Sequence, residues 1–241
     1  MHRVRIIGAG RAGGSLASAL RTRGVDVDGP VSRAMVSSDA SEGCDVLILA
    51  VPDDAIGEVA AAIAPVTTCV VMHCSGSRSL DVLAPHSNVA SLHPLIPMPT
   101  EEIGAQRLLD GTTFAVSGHE RAREIAELLG GRIVEVPDDA RARYHAAACI
   151  AANHVVALMG QVERIAESLG MSLKDFQSLA TAALHDAMSL SPGLALTGPA
   201  SRGDLATIER HFEALDASER ESYQAMARAA ARLAHDTAAG H

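Results

Sequence analysis

The sequence predicts an α/β protein, with a Rossmann-type parallel sheet at the N-terminus followed by an all-α domain. Three observations carry this reading. Strand-like and helix-like segments alternate from residue 1 to about 137, the signature of successive βαβ units. The segment 44–51, Cys-Asp-Val-Leu-Ile-Leu-Ala-Val, is nearly unbroken in its apolarity, as a parallel strand covered on both faces requires. Beyond residue 140 no strand-like segment occurs.

In chain order, 4–8 reads as a short buried strand. A helix over 10–23 follows, because Ala12, Leu16 and Leu20 recur at i, i+4 and i+8. The next strand lies within 25–33, and the apolar run 44–51 is the third. Residues 53–64 read as a helix and 69–74 as a buried strand. Two further strands, 113–116 and 132–136, flank a helix around 121–129. After Pro137 the pattern changes. Asp138 and Asp139 supply an N-cap and an acidic first turn, opening a long helix to about residue 169. Ser172-x-x-Asp175 has the form of a capping box, a loop spans 191–203, and one or two helices finish the chain. The expected domains are therefore 1–137 and 138–241.

Composition narrows the function. The chain has 241 residues, of which 48% are apolar and 2% aromatic. It is too apolar for disorder, and its core must be built from Ala, Val, Leu and Ile. Twenty basic against 29 acidic residues give a net charge of −9. That surplus, with so few rings to stack on bases, argues against nucleic acid as a partner. No signal peptide is read at the N-terminus. The apolar stretch 146–160 is interrupted by Asn153 and His154 and runs into Gln161, Glu163 and Arg164, which argues against a membrane span. Cys44, Cys69, Cys74 and Cys149 show no paired spacing and read as reduced thiols of a cytoplasmic protein. His73, Cys74, His86 and His93 lack zinc-ligand spacing, so no metal is expected.

The first chemical motif is Gly8-Ala9-Gly10-Arg11-Ala12-Gly13-Gly14, a G-x-G-x-x-G loop between a predicted strand and a predicted helix. Gly8 permits the tight turn, Gly10 lets backbone amides approach a pyrophosphate, and Gly13 lets helix and strand pack closely. The helix N-terminus at Arg11 and Ala12 stabilises the anion. The choice between NAD and NADP depends on the end of the second strand. Ser32 and Arg33 suit the 2′-phosphate of NADP; Asp28 is the rival, favouring NAD if Gly29-Pro30 ends the strand early. NADP(H) is the expected cofactor.

Further segments carry a family resemblance. They are the strand ending Leu49-Ala50-Val51-Pro52-Asp53, the run His73-Cys-Ser-Gly-Ser77, and the run Ser91-Leu-His-Pro-Leu95. Tyr144-His-Ala-Ala-Ala148 with Asn153, and 196–204 (Leu-Thr-Gly-Pro-Ala-Ser-Arg-Gly-Asp) with Thr207 and His211, complete the set. With the glycine loop they resemble a two-domain, Rossmann-like NADP oxidoreductase family with a C-terminal domain of unknown function. That family lies within the superfamily of 6-phosphogluconate dehydrogenase, ketopantoate reductase, pyrroline-carboxylate reductase and prephenate dehydrogenase. The resemblance covers essentially the whole chain. It implies a dinucleotide fold, Val51 and Pro52 beside the cofactor, and a homodimer joined through the helical domain.

The same resemblance nominates site residues. Prephenate dehydrogenases carry a similar Ser and His-Pro pair, which implies substrate polarisation by Ser75 and by His93, expected on a loop before Pro94; the alternative is a turn Ser and a packing His. Ketopantoate reductase and the hydroxyacid dehydrogenases place a Lys and an Asn in the long helix. Here there is Asn153 but no Lys; His145 and Cys149 stand eight and four residues before it. At 100° per residue these three span about 80° of a helix surface and share a face. His145 is then a candidate general acid, or else a satisfied buried residue. Asn153 would bond a substrate hydroxyl or carboxylate. Arg202 is the candidate clamp for a substrate carboxylate, with Asp204 capping the following helix.

The expected function is hydride transfer between NADP(H) and a small oxo or hydroxy carboxylic acid of ketopantoate type, with His145 or His93 supplying the proton. A prephenate- or imine-type enzyme and a non-catalytic NADP-binding sensor are the alternatives.

Overall fold

A computed structural model describes residues 3–240. The chain forms two compact units, Met1–Asn153 and His154–His241.

The first unit is built on a seven-stranded sheet in the order β2-β1-β3-β4-β5-β6-β7. Its elements are β1 (Arg3–Ile7), α1 (Arg11–Thr22), β2 (Asp26–Val31), β3 (Val46–Leu49), α2 (Ile56–Ala61), β4 (Val70–His73), β5 (Val89–Pro94), α3 (Glu101–Leu109), β6 (Thr113–Gly118), α4 (Arg121–Leu128), β7 (Arg132–Glu135) and α5 (Arg141–Cys149). All residues of β3 and β4 are buried, because the sheet is covered on both sides. Alternation assigns the faces. Val46, Ile48 and Met72 join Leu16, Leu20 and Ile125 in one core layer, while Leu47, Leu49 and Val71 join Ile56, Ile63 and Leu83 in the other.

Two expectations need correcting. The sheet is not wholly parallel: β5 and β6 pair antiparallel, with His93 opposite Ala115 and Pro94 opposite Phe114. The excursion between them runs out and back, so that Leu95 N–H bonds the carbonyl of Thr113 at 2.8 Å and β6 starts where β5 ends. Alternation of strand and helix does not encode that reversal. His93, expected on a loop, is a residue of β5. This strand was hidden because Val-Ala-Ser-Leu-His-Pro is neither an apolar run nor a clean alternation.

Helix α3 is not among the elements the sequence predicts. Its interior Gly104 contributes no packing side chain, and a methyl there would strike Ser15 of α1; helix propensity is sacrificed for close approach of α1 and α3. Thr100 caps α3, accepting from Ile103 N–H at 3.2 Å, ahead of Glu101 and Glu102. That cap was its available sequence signal.

Arg141 fastens α5 to the sheet. It is 1% exposed and donates to the Ser75 carbonyl (3.2 Å), to Ser117 Oγ (2.8 Å), to Ser91 Oγ and to Asp138 Oδ1 (3.1 Å). Asp138 also accepts from Leu80 N–H at 2.9 Å. After α5 the backbone takes a π-helical turn, Ile150–His154.

The second unit comprises α6 (Val155–Ser168), α7 (Gln177–Ser189), the short α8 (Pro192–Ala195) and α9 (Gly198–Ser201), α10 (Leu205–Ala214) and α11 (Ala217–Ala238). Ser172 and Asp175 form the expected capping box, and Asp204 caps α10 through Thr207 N–H at 3.0 Å. Glu219 takes a two-pronged bond from Arg164, at 2.6 and 3.0 Å. Among the described residues of this unit, only Ala166 and Glu219 are buried.

Candidate active site

The glycine loop has the geometry its motif requires. Gly8 has φ +115°, and a Cβ there would collide with the Ala50 carbonyl; a Cβ at Gly13 would strike the Gly8 carbonyl. At Gly10, by contrast, nothing lies within 4 Å of where a Cβ would stand. Gly10 begins α1 with no side-chain cap and no acid in the first turn. The open amides of this helix start face a cavity of about 470 Å³ lined by Gly10, Arg11, Ala12, Val51, Pro52 and His93, among others. An uncapped helix start on a cavity fits a pyrophosphate.

The end of β2 separates the two cofactor readings. Asp28 lies in mid-strand, opposite Arg5, and its carboxylate is engaged by Arg5 Nε at 2.8 Å. Gly29-Pro30 does not end the strand, which runs to Val31. Ser32 instead caps a single turn, Arg33–Met35, and leaves Arg33 exposed just past the strand end.

A second cavity in this unit, about 510 Å³, is lined by His93, Tyr144, His145, Cys149 and Asn153 with an aliphatic remainder from Leu95, Ile96 and alanines of the helix. His145, Cys149 and Asn153 thus line one cavity, as their spacing predicts, although a π turn intervenes; π turns recur at functional sites. His93, Pro94 and Ile96 belong to both cavities. His93 Nδ1 lies 2.7 Å from Tyr144 Oη, and the His145 ring stands edge-on to His93 with centroids 5.9 Å apart. Burial, then the charges of His145 and Arg141, push the His93 imidazole down to about 4. Burial pushes Tyr144 up to about 12.

Ser75 lines neither cavity. Its hydroxyl donates to Asp53 Oδ2 at 2.7 Å and accepts from the N–H groups of Ser77 and Arg78. Asp53 also accepts from Ser77 Oγ at 2.7 Å. Burial raises the Asp53 pKa, but these hydroxyls and the charges of His145 and Arg78 outweigh it and hold the carboxyl below its usual range. Behind them His73 is fully buried. Its Nδ1 accepts from Ser75 N–H at 3.2 Å and its Nε2 has no partner; burial, then Arg141, push it down to about 4. Burial pushes the Cys74 thiol up to about 12, so it is no thiolate at neutral pH. Arg202 follows α9 in the second unit, exposed, with its backbone N–H bonded to Pro199.

Neither Tyr144 nor Gly76 is among the sequence-predicted site residues. Tyr144 had one signal, being one of two tyrosines in the chain and adjacent to His145. Gly76 had none: only folding shows that a Cβ there would lie 2.6 Å from His145 Cδ2 and 3.0 Å from His93 Cε1 and Nε2.

Fold and glycine loop together define a Rossmann-like dinucleotide fold carrying a helical C-terminal part. Comparison with known proteins agrees. Residues 112–230 match the profile of a domain of unknown function, DUF2520. No curated protein matches the chain in sequence. Among solved structures, a Bacteroides fragilis protein provisionally described as an NADP oxidoreductase superposes with a TM-score of 0.78 at 18% identity, covering 96% of this chain and 98% of its own. A Thermotoga maritima protein gives 0.73 at 23% identity, covering 97% and 99%. The pyrroline carboxylate reductase of Plasmodium falciparum, with NADP bound, gives 0.61 at 13% identity, covering 97% and 98%. At these identities the likeness is one of fold.

Proposed function

We propose that this chain is an NADP(H)-dependent reductase or dehydrogenase of a small oxo or hydroxy carboxylic acid, of ketopantoate type. The observation that carries the reading is His93, which lines both the cavity at the glycine loop and the adjacent cavity holding Tyr144, His145 and Asn153. Gly8, Gly10, Arg11, Ala12 and Gly13 would hold the pyrophosphate, Ser32 and Arg33 the 2′-phosphate, and Val51 and Pro52 would border the nicotinamide. When bound, NADPH supplies a hydride to the substrate carbon. The chain must then orient the substrate and deliver one proton. Asn153 would bond the reacting group, and the aliphatic walls would exclude water. Ser75, bonded to Asp53 and lining neither cavity, would be a positioning residue.

A second reading, reduction of an imine, is favoured by the fold likeness to a pyrroline carboxylate reductase and by a second cavity whose lining includes no Lys or Arg. One experiment addresses both. Purified protein is titrated with NADPH and NADH by fluorescence, and NADPH oxidation is then followed with pooled 2-oxo acids and cyclic imines. Tight NADPH binding with turnover of an oxo acid supports the first reading, and turnover of imines alone supports the second. Binding without any turnover would make the chain an NADP sensor.

We further propose a cytoplasmic homodimer formed by the helical unit. Val156, Leu179, Met188, Leu194 and Leu205 are each at least 70% exposed, on a unit whose described residues include two buried ones. The span Asp138–Ser168 has the length and mean hydropathy, 1.2, to cross a membrane. Its first turn, however, is pinned to the sheet by Arg141. Coverage of the exposed helices by a second copy accounts for their apolarity without a bilayer.

A further inference from the structure

Resting on the reductase reading, we propose that Tyr144 is the group that gives its proton to the substrate, and that His93 and His145 form the relay that restores it. Tyr144 Oη is 2.7 Å from His93 Nδ1 and lines the second cavity beside Asn153. His93 is shielded and neutral, and a neutral imidazole N–H is a weaker acid than a phenol. Toward the substrate the phenol is therefore the stronger acid, and with its O–H turned to the substrate it accepts from His93 Nδ1–H, which supports the charge left behind.

The proton balance is as follows. Hydride addition places an electron pair on the substrate carbon while the C=O or C=N π pair moves onto the oxygen or nitrogen. That atom takes the Tyr144 Oη proton. His93 Nδ1–H, donating to Oη, stabilises the phenolate and then passes its proton to it, as His93 Nε2 gains one from the side of His145. The two rings stand edge-on with centroids 5.9 Å apart, which keeps this transfer short. His145 lines the open second cavity, from which solvent replaces the proton, and exchange with solvent returns His93 to its starting tautomer. The net consumption is one solvent proton. Gly76 underlies this path, since any Cβ would press on both imidazoles, 2.6 Å from His145 and 3.0 Å from His93. The charged and titratable neighbours of His93 are His145, Arg141 and Tyr144 from α5, Asp53 after β3, and His73 in β4.

The test has two arms. Nitrogen-15 NMR of the histidine rings, on the full chain with NADPH at pH 7, should find His93 neutral with its proton on Nδ1, and the signal should shift in Tyr144→Phe. His93→Gln assigns the resonance. A proton on Nε2, or an imidazolium, would overturn the relay, because Tyr144 would then be donating to His93 or His93 would itself be the acid. In the second arm, Tyr144→Phe should lower kcat about 100-fold on whichever substrate the wild type reduces, with KM and NADPH affinity within threefold. Wild-type kcat in that variant also overturns the proposal. If no substrate is turned over, the reductase reading fails, yet the NMR arm still decides the tautomer.

Discussion

At the residue scale, the cofactor choice rests on a few side chains at the end of β2. Asp28 is held by Arg5 in mid-strand, while Arg33 is exposed just beyond the strand. A guanidinium–phosphate pair contributes a charge-assisted bond. Arg33→Ala should therefore raise the Kd for NADPH about tenfold, worth ~1.4 kcal/mol, and leave that for NADH within twofold. Equal loss for both cofactors in a fluorescence titration would remove Arg33 from the 2′-phosphate site. The buried histidines make a second prediction. His73 and His93 have folded pKa values near 4 against an ordinary 6.5. Their burial as neutral rings is thus fully compatible with the fold above pH 6.5, and stability falls as pH drops from 6.5 toward 4. The unfolded chain binds protons that the folded one refuses, at about 2 kcal/mol per histidine by pH 5. Urea denaturation at pH 7 and pH 5 measures it; a flat profile would contradict neutral burial.

At the scale of elements, α5 is where fold and site meet. Its charged anchor Arg141 sits among the Ser75 carbonyl, Ser91, Ser117 and Asp138, and the next turn of the same helix presents Tyr144 and His145. Arg141→Met should cost about 3 kcal/mol, because Asp138 and the buried hydroxyls lose their donor. A urea midpoint equal to that of the wild type would show the anchor to be dispensable. The elements also show what the sequence could express. Strands β3 and β4 were legible because both faces are buried, so their hydrophobicity is continuous. Strand β5 was not, since it spends Ser91 on the Arg141 network and His93 on the site. Helix α3 exchanges periodicity for a glycine contact with α1. In both cases a tertiary partner overrides the local pattern.

For the whole molecule, the proposed homodimer of the helical unit makes the prediction. With Val156, Leu179, Met188 and Leu205 at least 71% exposed, light scattering should find twice the chain mass. Val156→Asp with Leu179→Asp should yield monomers. A wild-type monomer at micromolar concentration would dismiss the dimer.

The sequence by itself determined the parts whose cause is local. The glycine loop is one, since only glycine tolerates the close approaches at 8 and 13; the buried parallel strands, the caps at Ser172 and Asp204, and the shared face of His145, Cys149 and Asn153 are others. Only tertiary structure decided the reversal of β6, the burial of Arg141 and the position of Gly76 beneath two imidazoles. It likewise turned Ser75 toward Asp53 and brought His93 from β5 to Tyr144, 51 residues away. These depend on which strand ends lie side by side in the sheet. Hydrophobic periodicity reports whether a residue faces a core, but carries no information on which distant residue faces it.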